Sequence, residues 1–337
     1  MTNSRETHFF RHNHVLAICE DAIDNKSFTL NLSRFEMPEV PDLVEKCPIL
    51  LKLFLNHNHL TKLPSIVANL SRLQVLTLDY NRLDAFPMVI CQLTNLRVLN
   101  LSCNEIDKLP PEIGHLTQLE TFWCNNTGLL EIPDEIGNCT RLETMGARGN
   151  KLKQLPNSIG QLTNLRWLTF ESNELTEVPA TMDGFVKLVH LNFKNNYLTS
   201  VPACLRHMRK LQYVLLNNNR IETMPAAEDL FNTRFVRVLN LSENPICDEE
   251  EARRQLREHL HVQCEERLDA AEQQRLAMRG SELSEDDDDE EGDANSDWEN
   301  SIETSDLDTT DESGPENDLE DISMLIPELS RYITNFT

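Results

Sequence analysis

The sequence predicts an α/β solenoid: a curved stack of about ten repeats with helical caps at both ends and a disordered acidic tail. Three observations predict it. A pattern L-x-x-L-x-L-x-x-N-x-(L/I)-x-x-L-P, complete in Leu96 to Pro110, recurs over residues 27–247. Its asparagine returns on a 23-residue grid at Asn58, Asn81, Asn104, Asn150, Asn173, Asn196 and Asn219; Phe35 and Thr127 take two more grid points, and Asn244 follows after 25 residues. A proline stands six residues after each of the first nine grid points, Pro41 to Pro225, so nine of the chain's fifteen prolines share one lattice. A fixed period of this length marks a stack in which each unit buries its apolar face only against its neighbours.

The first segment, residues 1–26, is polar and His-rich. Val15, Leu16, Ile18, Cys19, Ala22 and Ile23 have helical spacing, which fits a short helix closing the open face of the first repeat. His8, His12 and His14 lack the cysteine or acidic partners of a metal site, so they read as a solvated terminus, and no metal or cofactor is expected.

Each repeat in 27–247 then gives one short strand and one looser return segment. The leucines of L-x-x-L-x-L point inward and the residues between them face the concave side, by the period-2 rule. The grid asparagine turns inward to bond backbone groups that would otherwise be buried without partners. Phe35 cannot do this and marks an atypical first repeat, whereas Thr127 supplies a hydroxyl and weakens its repeat without abolishing it. Proline sets the turn on the convex side, where no ladder donor is required. Ten parallel strands at about 4.8 Å give an arc on the order of 45 Å.

The character changes at residues 248–279, the predicted C-terminal capping helix. Acids after Cys247 suit a helix N-terminus, and Leu256, Leu260, Cys264, Leu268 and Ala271 form one apolar stripe running towards Arg279. That stripe is too short and narrow for a coiled-coil arm, so a monomer is expected. Residues 280–321 read as a disordered acidic tail. Residues 322–337, from Ile322 to Phe336, are apolar again and too short to bury a core alone, so they should dock on this solenoid or on a partner.

The net charge of −25 is concentrated in the tail. Residues 281–321 hold twenty Asp and Glu and no Lys or Arg, leaving about −5 for everything else. No basic stripe is visible in the sequence, which argues against nucleic acid as a partner, whereas the tail suits contacts to basic proteins. Nine scattered cysteines, no paired-cysteine caps, no signal-peptide core and no membrane span point to a reducing compartment, cytoplasmic or nuclear. No phosphate loop, zinc spacing, nucleophile elbow or HExxH motif is present, so no catalytic residues are expected and the chain reads as non-enzymatic.

Equivalent positions in successive repeats are neighbours, so the concave face can be read in rows. The row from Thr29 to Val238 contains Trp167, His190 and Tyr213 consecutively, an expected exposed aromatic ladder. The row from Asn31 to Asn240 contains Trp123 and then Gly146, read as a dent that lets a partner backbone approach. The row from Ser33 to Ser242 contains Arg148, Glu171 and Lys194. Exposed Trp and Tyr beside Arg make a protein-binding hot spot. The alternative is that the aromatics only cover neighbouring strands and that the charges only pair with one another.

In the tail, Ser284, Ser296, Ser305 and Thr309 each precede an acid by three residues, a pattern resembling casein-kinase-II-type phosphorylation sites. Trp298, in Ser-Asp-Trp-Glu-Asn, resembles the tryptophan-acidic motif read by kinesin light chains and is at least an anchor residue for a partner.

The period and motif resemble the leucine-rich repeat family and imply its horseshoe, with short parallel strands on the concave face. Within that family, Leu109 to Leu119 and Leu155 to Leu165 both read Leu-Pro-x-x-Ile-Gly-x-Leu-Thr-x-Leu, similar to intracellular Ras-group and scribble-like repeat proteins. That resemblance covers about two thirds of the chain and implies a scaffold or adaptor in signalling that binds a protein on its concave face. Repeats followed by an acidic tail also resemble the acidic leucine-rich nuclear phosphoproteins, which implies a second function, binding basic chromatin proteins such as histones. Those relatives have shorter arrays and purer acid runs than this chain.

Overall fold

The apolar positions of one repeat lie on one side of a short strand and of the turn that follows, so a single coil cannot cover them. Stacking does, and it fixes the architecture. The computed structural model describes residues 2–223, 236–259 and 262–263. The strands are β1 (Thr29–Asn31), β2 (Lys52–Phe54), β3 (Val75–Thr77), β4 (Val98–Asn100), β5 (Thr121–Trp123) and β6 (Thr144–Gly146). They continue as β7 (Trp167–Thr169), β8 (His190–Asn192), β9 (Tyr213–Leu215), β10 (Val238–Asn240) and β11 (Val262–Gln263). All lie in one parallel sheet in chain order. Register follows the repeat, as where Val75 pairs Val98 and Val98 pairs Thr121, so the three rows read from the sequence are real columns of neighbours.

Inside, one repeat contributes Leu96, Leu99, Leu101, Ile106, Leu109, Ile113 and Leu116, all buried. Burial stabilises each such side chain by roughly 1.5–3 kcal/mol. On the convex side, eight prolines from Pro41 to Pro202 each precede a five-residue 3-10 turn, the first at Asp42–Lys46 and the last at Ala203–His207. Proline's fixed φ suits that position, and its carbonyl accepts the first bond of the turn, as from the Ile113 N–H to Pro110 O at 3.0 Å. Glycines let these turns approach closely. A Cβ on Gly114 would lie 2.7 Å from the Glu135 carbonyl oxygen, one on Gly137 2.8 Å from that of Ser158, and one on Gly160 2.7 Å from the Thr181 carbonyl carbon.

The asparagine ladder is present in detail. Asn104 Nδ2 donates to Leu101 O and to Leu78 O in the preceding repeat, both at 2.9 Å. Its Oδ1 accepts from the Leu83 N–H at 3.0 Å. Asn58, Asn81, Asn150, Asn173, Asn196, Asn219 and Asn244 make the same kind of bonds. Thr127 keeps part of this: its hydroxyl lies 3.3 Å from Cys124 O and 3.0 Å from Asn150 Oδ1, but one O–H has one proton to give. Just before the ladder residue the backbone turns left-handed at His57, Tyr80, Cys103, Asn126, Ser172, Asn195 and Asn218, with φ between 52 and 56°. Each such residue costs about 1 kcal/mol, which the ladder bonds offset.

At the N-terminal end, helix α1 (Thr2–Asp24) is longer than the short helix expected, and Val15, Cys19 and Ala22 are buried along one side. Phe35, useless as a ladder residue, packs against the core, with its ring 5.6 Å from that of His14, and Glu36 pairs with Arg11. The first repeat has no ladder side chain of its own, and Asn58 of the next repeat bonds its Phe35 and Met37 N–H groups and its Leu32 carbonyl.

The C-terminal end departs from expectation. Helix α2 (Glu250–His259) buries Ala252 and Leu256, and the strand at Val262–Gln263 shows that no single continuous helix runs from there towards Arg279. Val262–Gln263 then pairs in parallel with β10 as an eleventh strand. The open sheet edge offers unsatisfied backbone groups, and an added strand satisfies them better than more exposed helix would. Cys264, Leu268 and Ala271 lie outside the described residues, as do Leu260, Pro225, the acidic tail with Ser284, Ser296, Trp298, Ser305 and Thr309, and the apolar segment 322–337.

Cys19, Cys47, Cys91, Cys103, Cys124, Cys139 and Cys204 are free thiols. Burial pushes Cys124 and Cys139 up to about 12. Cys247 is disulfide-bonded, an exception to the fully reduced set that a reducing compartment implies.

Candidate functional site

The concave face gathers the expected residues on β5 to β9. Trp167, His190 and Tyr213 occupy one register position on three adjacent strands. Trp167 and His190 stack face to face, with centroids 3.7 Å apart and planes 8° from parallel; Tyr213 leans over the other side at 6.2 Å and 37°. The ladder is therefore real, but its middle rung is not exposed. His190 is only 8% accessible, held between the two larger rings, and that burial drives its pKa down to about 4. At neutral pH it is an uncharged spacer fixing the spacing of Trp167 and Tyr213, both of which remain half-exposed.

Trp123 and Gly146 face each other across β5 and β6. The dent expected at Gly146 is filled from within the chain. A Cβ there would overlap Cε3 and Cζ3 of Trp123, so that edge of the indole fills the space over the glycine, and Gly146 is buried. The glycine serves to seat Trp123; a partner backbone has no room at that point. A Gly beside a Trp on the neighbouring strand is the signal, and the sequence reading assigned the space to the wrong occupant.

In the third row, Glu171 joins two neighbours. Its Oε2 accepts from Asn192 Nδ2 at 3.0 Å, and its Oε1 lies 3.6 Å from Lys194 Nζ. Glu171 is held while the Lys194 side chain stays 41% exposed, so the pair orients an ammonium towards solvent more than it stabilises the fold. Arg148 is half-buried in the same row, and its backbone N–H donates to Asn125 Oδ1 at 2.8 Å. The charged residues thus border the aromatic row, with Arg148 on the Trp123 side.

One aromatic pair went unnoticed in the rows. On the loops leaving the sheet, the Arg220 guanidinium sits 4.1 Å above the Tyr197 ring, and Tyr197 is exposed. The two are 23 residues apart, so the period that aligned the concave rows also aligns this pair. Among the described residues, no group of three or more His, Cys, Asp and Glu could hold a metal ion, and no helix is long and apolar enough to cross a membrane.

A stack of parallel strands presenting stacked rings on an open curved face is the architecture of a repeat-type interaction module. Residues 134–288 match the family model for a leucine-rich repeat region, and residues 94–138 match that for leucine-rich repeats in two copies. The chain is a leucine-rich repeat protein, a fold that is typically a non-enzymatic interaction scaffold. Among solved structures it is similar to a leucine-rich repeat protein of Leptospira interrogans, at 30% identity over 67% of this chain and 63% of that one, with a TM-score of 0.56. It is also similar to the ectodomain of the membrane receptor kinase GASSHO1/SCHENGEN3 from Arabidopsis thaliana, in complex with CASPARIAN STRIP INTEGRITY FACTOR 2. That match has 33% identity, covers 65% of this chain and 28% of that one, and has a TM-score of 0.57. The plant peptide hormone receptor RGFR1, in complex with RGF2, shares 26% identity over 61% of this chain and 38% of that one, with a TM-score of 0.53. The chain spans less than two thirds of the length of each of these three. No curated protein matches the sequence.

Proposed function

We propose that this protein is a non-enzymatic scaffold or adaptor in intracellular signalling that binds a protein partner on its concave face. The observation that carries this reading is the Trp167–His190–Tyr213 stack, which presents two large amphipathic rings at fixed separation on an open sheet. Trp123, Arg148 and Lys194 extend the surface. Similar folds found in complex with a peptide hormone or an integrity factor support a peptide or protein as ligand. The intracellular placement rests on the seven free thiols among the described residues, against the one disulfide at Cys247, and on the Leu-Pro-type repeats.

The test is affinity capture from lysate with the wild type beside Trp167→Ala/Tyr213→Ala, circular dichroism confirming the fold of both. Proteins bound by the wild type should be missing from the variant; an unchanged set would refute the concave reading.

The twenty acids of residues 281–321 favour a second reading, a nuclear protein that holds basic chromatin proteins such as histones. Deleting 281–321 separates the two: lost histone binding with unchanged concave capture would favour the second.

A further inference from the structure

The absence of a basic stripe in the linear sequence does not carry over to the fold. The chain comes into each strand along one border of the sheet, the leading edge. The residue just before each strand is hydrogen-bonded to its counterpart in the next repeat: Arg166 N–H to Glu143 O at 2.8 Å, Val189 N–H to Arg166 O at 2.9 Å, Arg237 N–H to Gln212 O at 2.8 Å. Two residues earlier runs a second outward row, tied across repeats where Asn164 Nδ2 donates to Thr140 O and Lys187 Nζ to Asn164 Oδ1, both at 2.7 Å.

From β6 to β10 these two rows, with Arg209 beside them, present Arg141, Arg166, Lys187, Arg209, Lys210 and Arg237, all exposed. Among the described residues of those positions, Glu143 is the single acid. The sequence hides the strip because its members lie a repeat apart, while the fold sets consecutive strands at about 4.8 Å, so five strands span about 19 Å. The contrast with the whole chain, at −25, is large.

We propose that this leading edge is a second interaction surface, for an extended acidic segment of a partner protein. An extended chain rises about 3.4 Å per residue, so about six residues of such a segment cover the strip. Alternate side chains fall on one side, which brings a carboxylate towards the edge at every second residue. The two lysines are compact point charges on long stems, and the four arginines carry planar guanidinium forks that match a carboxylate, so an open edge attracts acids without a shaped pocket. Among the described residues of the two rows from β6 to β9 there is no aromatic ring, so the bases of single-stranded nucleic acid find no platform there; Phe235, at the second row's position before β10, lies outside the described residues. The two rows precede the strand positions that carry the concave rings, Arg166 standing directly before Trp167.

The experiment uses the full chain and a fluorescein-labelled oligoglutamate peptide, read by anisotropy. A charge-matched single-stranded DNA oligonucleotide is the comparator, and R166E/K187E/K210E is the variant. The peptide should bind the wild type and weaken as salt shortens the Debye length from about 30 Å at 0.01 M to about 8 Å at 0.15 M. The variant should bind the peptide roughly tenfold or more weakly, with the circular dichroism and thermal midpoint of the wild type. Trp167→Ala should leave peptide binding unchanged. Absence of peptide binding, equal binding by the variant, or tighter binding of the DNA than of the peptide would overturn the proposal.

Discussion

His190 links the packing of the concave face to pH. Its imidazole ordinarily titrates near 6.5, and burial between Trp167 and Tyr213 lowers that to about 4. The stacked indole would favour an imidazolium by about 0.5–1 kcal/mol, less than one pKa unit, so it does not reverse the effect of burial. Between the two values the unfolded chain binds a proton that the folded chain refuses. Stability contributed by the neutral ring is therefore complete above pH 6.5 and falls as the pH drops, reaching its full loss of about 3 kcal/mol below pH 4. Working above the isoelectric point of about 4.7 avoids precipitation. From pH 7.5 to 5.5 the linkage relation gives a loss of about 1 kcal/mol from this one residue. Urea melts of the wild type and His190→Leu at both pH values isolate it, because every other titrating group is common to both proteins. The wild type should lose about 1 kcal/mol more than the variant on acidification. In parallel, the His190 Hε1 resonance should show a mostly neutral ring at pH 5.5. A midpoint near 6.5 by NMR, or equal losses in the two proteins, would refute the claim that His190 is a buried, neutral spacer.

Other expectations follow from the repeat geometry. Thr127→Asn restores the missing ladder amide and should raise stability by about 1 kcal/mol, seen as a higher urea midpoint; a lower one would show that this repeat is not ladder-limited. Gly160→Ala puts a methyl into the Thr181 backbone and should cost about 1–3 kcal/mol, because the next repeat has to move. Its thermal midpoint should fall accordingly, and an unchanged midpoint would mean the convex turns are looser than described. Cys124 and Cys139, buried and with thiols pushed up to about 12, should resist iodoacetamide at pH 8 until urea unfolds the chain. Mass spectrometry of the labelled peptides reads this, and rapid native labelling of either would contradict their burial.

Much of the architecture was legible because two periods are written openly in the chain. Alternation along L-x-x-L-x-L gives the inward face, and the 23-residue grid gives the neighbour of every residue, so the pairing of Trp167 with His190 needed no coordinates. Side-chain direction between neighbours was not legible. Trp123 can stand out into solvent or lie over Gly146 with the same sequence; the space left by a missing Cβ decides it, and that space belongs to the next repeat. The burial of His190 has the same origin, since two larger rings close over a smaller one. The strand at Val262–Gln263 was not legible because the apolar stripe from Leu256 onwards fits a helix locally, while the unpaired edge of β10 competes from outside that stretch. The leading-edge cations escaped because charge was counted along the chain and not across it.

The asparagine ladder has a direction, and that direction matters during synthesis. Each asparagine supplies the polar groups required by the repeat before it: Asn219 bonds the Phe193 carbonyl and the Leu198 N–H, and Asn244 does the same for Leu216 and Ile221. A repeat leaving the ribosome is therefore incomplete until its successor arrives, about 1–5 s later at ordinary elongation rates. The nascent solenoid always trails one unsealed coil at its growing end. Premature termination at any repeat leaves that coil exposed, whereas the finished chain seals its last coils with Asn244, α2 and β11.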